Sequence, residues 1–235
     1  MAAMSTAAQA DDFGMDFTVG AEKKISKRVS VGAEAELRTR NDNFTLDRWS
    51  FGVDASFKLI KGLKLSAGYT LLDDNNYERI TYHSDGTINK WRPSYWGLRH
   101  RFNVSLTGSI DFGRFSASLR ERWQYTYRPD ATTCRYDFDD KEWDETNVEK
   151  KHKHVLRSRV ELQYNIRKRP ITPFLNAEFF NSLRFDKVRC QLGLTYKFSK
   201  HHFVDFYYQY QHVNARDDDN EYDSHMMGVA YKFKF

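Results

Sequence analysis

The chain has 235 residues, with 37 Lys and Arg against 32 Asp and Glu and a formal net charge of +5. Aromatic residues make up 16 %, yet mean hydropathy is −0.76, so a soluble core that rich in rings lacks the Leu, Ile and Val that normally accompany it. No run of ~20 apolar residues occurs, which excludes membrane-spanning helices, and the basic residues are not gathered in a tail or one helix, which argues against a nucleic-acid partner.

The first ten residues end in Ala8-Gln9-Ala10, a small-residue pattern of the kind signal peptidase cuts. They are too short for a complete signal and lack its basic start. They read as a remnant (1–10) ahead of a single domain (11–235).

Strict period-two alternation follows, the mark of strands with one apolar and one polar face. After a weaker segment at 15–24, residues 29–40 alternate Val29, Val31, Ala33, Ala35 and Leu37 with Ser30, Gly32, Glu34, Glu36, Arg38 and Arg40. Residues 48–59 set Trp49, Phe51, Val53, Ala55, Phe57 and Leu59 against Arg48, Ser50, Gly52, Asp54, Ser56 and Lys58. The theme recurs at 63–72, 96–112, 115–128, 154–166, 171–183, 187–198 and 203–213. The chain ends on Met227, Val229, Tyr231, Phe233 and Phe235 at alternate positions, similar to the terminal strand of bacterial outer-membrane barrels.

Connections alternate in length. Those at 25–28, 61–62, 113–114, 167–170 and 200–202 are short, and Gly113 stands first in its pair, as a type II′ hairpin requires. Those at 41–47, 73–95, 129–153 and 214–223 are long. This pattern predicts an all-β fold: a transmembrane antiparallel up-and-down β-barrel of 10–12 strands, with short periplasmic turns and longer outer loops. Eleven segments can be counted, which would start 15–24 at the outer surface; either a strand is missed or the first segment enters the barrel differently, and of the even solutions, ten and twelve, twelve is slightly preferred. In a soluble sandwich or lipocalin-like barrel the apolar face would be the core. Trp and Tyr near segment ends, among them Trp49, Trp96, Tyr69, Tyr125, Tyr127 and Tyr164, instead suit interfacial girdles. Outer-membrane lipid, lipopolysaccharide and other outer-membrane proteins are the partners this placement implies.

Arginines concentrate on the polar face, often as Arg-x-Arg pairs. Arg38, Arg40, Arg99, Arg101, Arg120, Arg122, Arg157 and Arg159 are candidates for an anion-binding lumen wall, because a two-residue step stacks guanidiniums along one face and each can grip carboxylate or phosphate with two hydrogen bonds. Glu34, Glu36, Glu161 and Glu178 share that face and are candidate internal salt-bridge partners. Pairing Ile166 with Ile171 across the 167–170 turn sets Arg159 opposite Glu178. A braced, filled interior and a narrow selective pore both remain open on this reading.

Glu121 breaks the pattern. Alternation puts it on the lipid face, opposite Leu106 in the register of the 113–114 hairpin. A bulge or local pairing, or contact with a membrane partner, would accommodate it. No Ser-His neighbourhood marks a catalytic centre. The acidic runs at 137–145 and 217–223 lack the spacing of an EF-hand, so no metal and no cofactor are expected. Cys134 and Cys190 fall in a loop and on an outward face, too few and too far apart for a disulfide framework.

Leu37-Arg38-Thr39-Arg40, Ser66-Ala67-Gly68-Tyr69, Leu98 to Asn103 and Leu119 to Thr126 resemble the repeating stretches of a family of small Gram-negative outer-membrane β-barrels catalogued as a domain of unknown function. The resemblance spans most of 13–235. It implies the barrel and its location and assigns no reaction.

Overall fold

In the computed structural model the described residues are 12–214 and 222–235. The proposed remnant 1–10 and most of the second acidic run lie outside them. Every regular element described is a strand. Eleven strands form a closed barrel: β1 (Asp12–Lys24), β2 (Val29–Arg40), β3 (Thr45–Ile60), β4 (Leu63–Asn76), β7 (Tyr95–Phe112), β8 (Phe115–Arg128), β11 (Lys151–Tyr164), β12 (Ile171–Asn181), β13 (Phe185–Lys197), β14 (His202–Val213) and β15 (Ser224–Lys234). The other four, β5 (Arg79–Tyr82), β6 (Ile88–Arg92), β9 (Ala131–Asp137) and β10 (Glu142–Val148), make a separate sheet in the order β10-β9-β6-β5.

The ring has eleven strands, within the expected 10–12 though not the preferred twelve, and the first segment enters the barrel differently from the rest. β1 lies parallel to β15, with Phe17 beside Val229 and Val19 beside Tyr231. All the other barrel pairs are antiparallel. One parallel seam lets an odd number close. It places Asp12 at the end of the barrel that carries the long connections and Phe235 at the end with the tight turns.

The tight turns obey backbone chemistry. Gly62 (φ 82°) and Gly113 (φ 64°) occupy the left-handed region, where glycine carries no steric cost. The Gly113 turn closes on Phe112 opposite Phe115. At the other end Asn41, Asp42 and Asn43 all take positive φ, a conformation that short amide and carboxylate side chains tolerate.

The alternation resolves as expected. Phe51 is 51 % exposed and Leu106 44 %, whereas Asp74 and Glu178 are 5 % and 4 % exposed. Apolar side chains look outward and charged ones look into the enclosed space. Buried apolar residues are few and scattered (Leu72, Val155, Phe180, Val213, Met226 and Ala230), so no oily core holds this fold. Strand hydrogen bonds and interior ion pairs do.

Candidate functional site

The site is the barrel interior, a cavity of about 780 Å³. Among the described residues its lining counts fifteen Lys and Arg against seven carboxylates. Of the eight arginines expected on the wall, Arg38, Arg99, Arg101, Arg120, Arg122, Arg157 and Arg159 line it. Arg40 does not. Pairing of β2 with β3 slips between Arg38 and Thr39, so Arg38 faces Arg48 while Arg40 faces Thr45. The extra residue is Asp47 of β3, which lies unpaired beside Arg40 and takes its guanidinium. Arg40 instead packs at the rim, 3 % exposed, its guanidinium 3.6 Å from the centre of the Tyr77 ring. There it donates to Asp47 Oδ1 at 3.2 Å and to the Asn75 carbonyl at 2.6 Å.

The carboxylates sort differently from expectation. Arg159 does stand opposite Glu178 in the register, but it ion-pairs with Glu161 at 2.9 Å. Glu178 is held by Arg157, which donates Nε to Oε1 at 3.2 Å and Nη2 to Oε2 at 2.7 Å, and by Arg120 Nη2 at 2.5 Å. Long guanidinium arms reach diagonal neighbours as easily as facing ones, so register alone does not name the partner. Glu36 lies 3.0 Å from Arg38. Glu34 faces the cavity and makes no ion pair with any described residue.

Two participants go beyond the expected set. Asp74 pairs with Arg48 and, at 2.9 Å, with Arg99. It falls in the long connection 73–95 on composition, but β4 runs on to Asn76 and Asp74 continues the inward parity of Thr70 and Leu72. Phe180 is the second. It is a buried inward ring on the charged face, with Arg157 at 4.6 Å and Arg189 and Lys187 at 5.2 Å from its centre. Its negative π face offsets part of their mutual repulsion.

Arg38, Arg48, Arg99, Lys187 and Arg189 also line a second cavity of about 90 Å³ nearer the long connections. These five cations, with Asp16, Glu36 and Asp74, form the partition between the two spaces. Beyond the partition Tyr222 donates to Asp12 Oδ2 at 3.0 Å and accepts from the Tyr77 hydroxyl. Burial raises the pKa of both phenols above the ordinary tyrosine value.

Below the partition, charge is unevenly matched. Arg101 makes no hydrogen bond or ion pair with a described residue, and its Nε is buried without a partner. Arg48 and Arg157 are its like-charged neighbours. Arg122 donates Nε to Ser105 Oγ at 2.9 Å and has no carboxylate. Guanidinium N–H groups left in this way are able to donate to an oxyanion.

Glu121 stays on the outward face, opposite Leu106, without a bulge. It accepts a 2.7 Å hydrogen bond from Ser158 Oγ on the neighbouring strand, so local pairing is what accommodates it. Cys134 and Cys190 are both free and exposed.

A family model described as Protein of unknown function (DUF2490) matches residues 13–222. No curated protein matches the chain.

Proposed function

The chain belongs to this family of unknown function, and we propose that it is an integral outer-membrane β-barrel forming a narrow conduit for small anionic solutes. The observation that carries this reading is the combination of an outward apolar wall with an interior where, among the described residues, fifteen cations meet seven carboxylates. An apolar belt around the whole circumference has no counterpart on soluble monomers, whose patches rarely exceed a few hundred Å². A band of outward aromatics across β4, β7, β8 and β11 supports the placement. Tyr69 contacts Phe102 and His100, Phe102 contacts Tyr125, and Tyr125 contacts His152 and His154, all on the long-connection half of the wall. Rings with a polar edge suit a membrane–water boundary.

The surplus charge gives the mechanism. Repulsion among unmatched guanidiniums is relieved when an anion enters, and the cavity has the volume of a small-solute site. An anion then exchanges between Arg101, Arg122 and the partition arginines, each holding it with charge-assisted hydrogen bonds. A planar-bilayer recording with a KCl gradient tests this. The expected reversal potential lies toward chloride, and the double variant Arg101→Gln/Arg122→Gln reduces that preference. A silent or cation-selective barrel would sink the proposal.

Glu121 and Ser158 favour a second reading, a barrel that acts as a subunit of an outer-membrane assembly. An ionisable residue on an apolar belt is costly unless it meets a polar partner, and Ser158 satisfies one carboxylate oxygen only. If a membrane partner covers it, Glu121→Leu abolishes co-purification of that partner from solubilised membranes without changing conductance. Isolation of wild type as a lone monomer removes the second reading.

A further inference from the structure

The barrel interior has two unlike sides. Among the described residues ten arginines line it, nine of them on strands β2 to β11 and one, Arg189, on β13. The four aromatic side chains of that lining, Phe174, Phe180, Phe203 and Tyr207, all stand on β12 and β14. Two of these rings lie flat. Register sets Phe174, Gly193, Tyr207 and Gly228 in one row across β12 to β15. A Cβ at Gly193 would sit 2.6 Å from Phe174 Cζ, and one at Gly228 would run into the Tyr207 ring. Each ring therefore covers the glycine beside it and rests one face on the wall. Both residues are half-buried and line the cavity, so the other face is turned to the interior.

The rows on either side of the rings are polar. Toward the long connections Asn176 donates Nδ2–H to Gln191 Oε1 at 2.9 Å, and Gln191 donates Nε2–H to Gln209 Oε1 at 2.8 Å. An amide nitrogen carries two hydrogens, so Gln191 keeps a second donor. Toward the tight turns Thr195 Oγ1 donates to Asp205 Oδ1 at 2.6 Å, and Lys232 Nζ to Asp205 Oδ2 at 2.8 Å. One row beyond the amides, on the same face, stands Arg189. It donates Nη2 to Gln211 Oε1 at 2.9 Å, its Nε is buried without a partner, and it makes no ion pair with a described residue. Glu178 and Glu36 act on it at longer range, and its charge reaches Tyr207.

We propose that this side of the interior binds an anionic sugar, a saccharide ring that carries a carboxylate or phosphate. The C–H face of the ring lies on Tyr207 and Phe174, whose negative π faces attract it. Its hydroxyls meet Gln191 and Asp205 in the polar rows, and its anionic group takes the Arg189 guanidinium. A few placed polar groups around an apolar platform are what fix a small ligand's orientation. An inorganic anion uses the guanidinium side of the cavity and leaves the rings idle. A flat aromatic acid covers the rings and leaves the polar rows unmatched, which costs affinity. The sugar's role as the transported solute rests on the conduit reading above, whereas its binding is measured without current.

The test titrates the purified full chain in detergent, at fixed low salt, with glucuronate and glucose 6-phosphate. Glucose, open-chain gluconate and benzoate are the controls. The tighter of the two anionic sugars is expected to bind at least about fivefold more tightly than any control, and which one is tighter assigns the anionic group. Saturation-transfer NMR from the protein's aromatic protons is expected to mark the C–H protons of the bound sugar ring. Gly228→Ala keeps every ring but turns Tyr207 off the wall, and it is expected to bring glucuronate down to the level of gluconate. Tyr207→Leu has the same expected effect, and Tyr207→Phe stays within about threefold of wild type. Arg189→Gln brings glucuronate down to the level of glucose. Heat-shifted gel mobility shows that each variant is still a closed barrel, and if none closes, the wild-type titrations and NMR decide the question. Equal wild-type affinity for glucuronate and gluconate, tighter binding of benzoate, or a closed Gly228→Ala or Tyr207→Leu barrel that binds like wild type overturns the proposal. A barrel that binds glucuronate through Tyr207 and Arg189 but carries no current removes the conduit and keeps the site. A conducting, anion-selective barrel with no preference for the sugar ring removes the site alone.

Discussion

Glu178 and Glu34 both face the interior, and their surroundings separate them. Glu178 is nearly inaccessible and joins β12 to β11 and β8 through Arg157 and Arg120. Removing its charge strands two guanidiniums. Breaking a buried pair from one side costs about 3–5 kcal/mol, so Glu178→Gln is expected to lower unfolding stability by about 3 kcal/mol. Glu34 makes no ion pair with a described residue, and Glu34→Gln is expected to stay within about 0.5 kcal/mol of wild type. Urea unfolding in detergent measures both, and equal losses would show that the Glu178 network does not brace the barrel. This contrast also marks how far residue roles were legible. Alternation placed both carboxylates inward because a strand leaves a side chain only two directions. It did not choose among partners, because an arginine arm reaches the diagonal neighbour as well as the facing one. Arg40 shows the other limit. It lies near the end of β2, where Asp47, Asn75 and Tyr77 hold its guanidinium at the rim, and nothing in Leu37-Arg38-Thr39-Arg40 itself announces those partners.

At the scale of elements, long segments were legible and short ones were not. The stretch 96–112 appears as β7 (Tyr95–Phe112) and 115–128 as β8, because many alternating residues and a Gly113 turn agree on one answer. The stretch 63–72 stopped short of Asn76, since Asp73-Asp74-Asn75-Asn76 carries the composition of a turn. There, interior ion pairing overrides local preference: Asp74 continues the inward face and is held by Arg48 and Arg99. The connections 73–95 and 129–153 read as polar loops, yet they supply all four strands of the second sheet. Their strands have four to seven residues, too few for periodicity to stand out. Pairing between β6 and β9 joins Lys90 to Asp137 and Trp91 to Tyr136, 47 and 45 positions apart, which no local pattern can show. Trp91 of the first connection meets Trp143 of the second, which packs on Tyr136, only because the two connections lie side by side.

The whole molecule turns on its seam. An open sheet would leave the edges of β1 and β15 with unpaired backbone groups. In a ring of purely antiparallel pairs, eleven strands cannot close, which is why twelve was the preferred count. Closing β1 against β15 in parallel satisfies both edges at the cost of slightly weaker pairing per residue, and the terminus adds to it: Lys24 N–H donates to the Phe235 carbonyl at 2.9 Å, and Phe235 N–H to the Glu22 carbonyl at 2.9 Å. The hydrogen bonds of this seam join the two ends of the chain, so it tests the topology directly. With Cys134 and Cys190 replaced by Ser, Val19→Cys combined with Tyr231→Cys is expected to form a disulfide under mild oxidation, because the two positions are register partners. Val19→Cys combined with Met227→Cys sits four residues out of register, about 13 Å along the strand, beyond the ~7 Å that a disulfide spans. Cross-linking of the first pair and not the second, read as altered gel mobility that reduction reverses, supports the parallel seam. An antiparallel β1 running from the tight-turn end would reverse its register along β15 and cross-link neither or the wrong pair, and the odd-numbered ring would then fall with it.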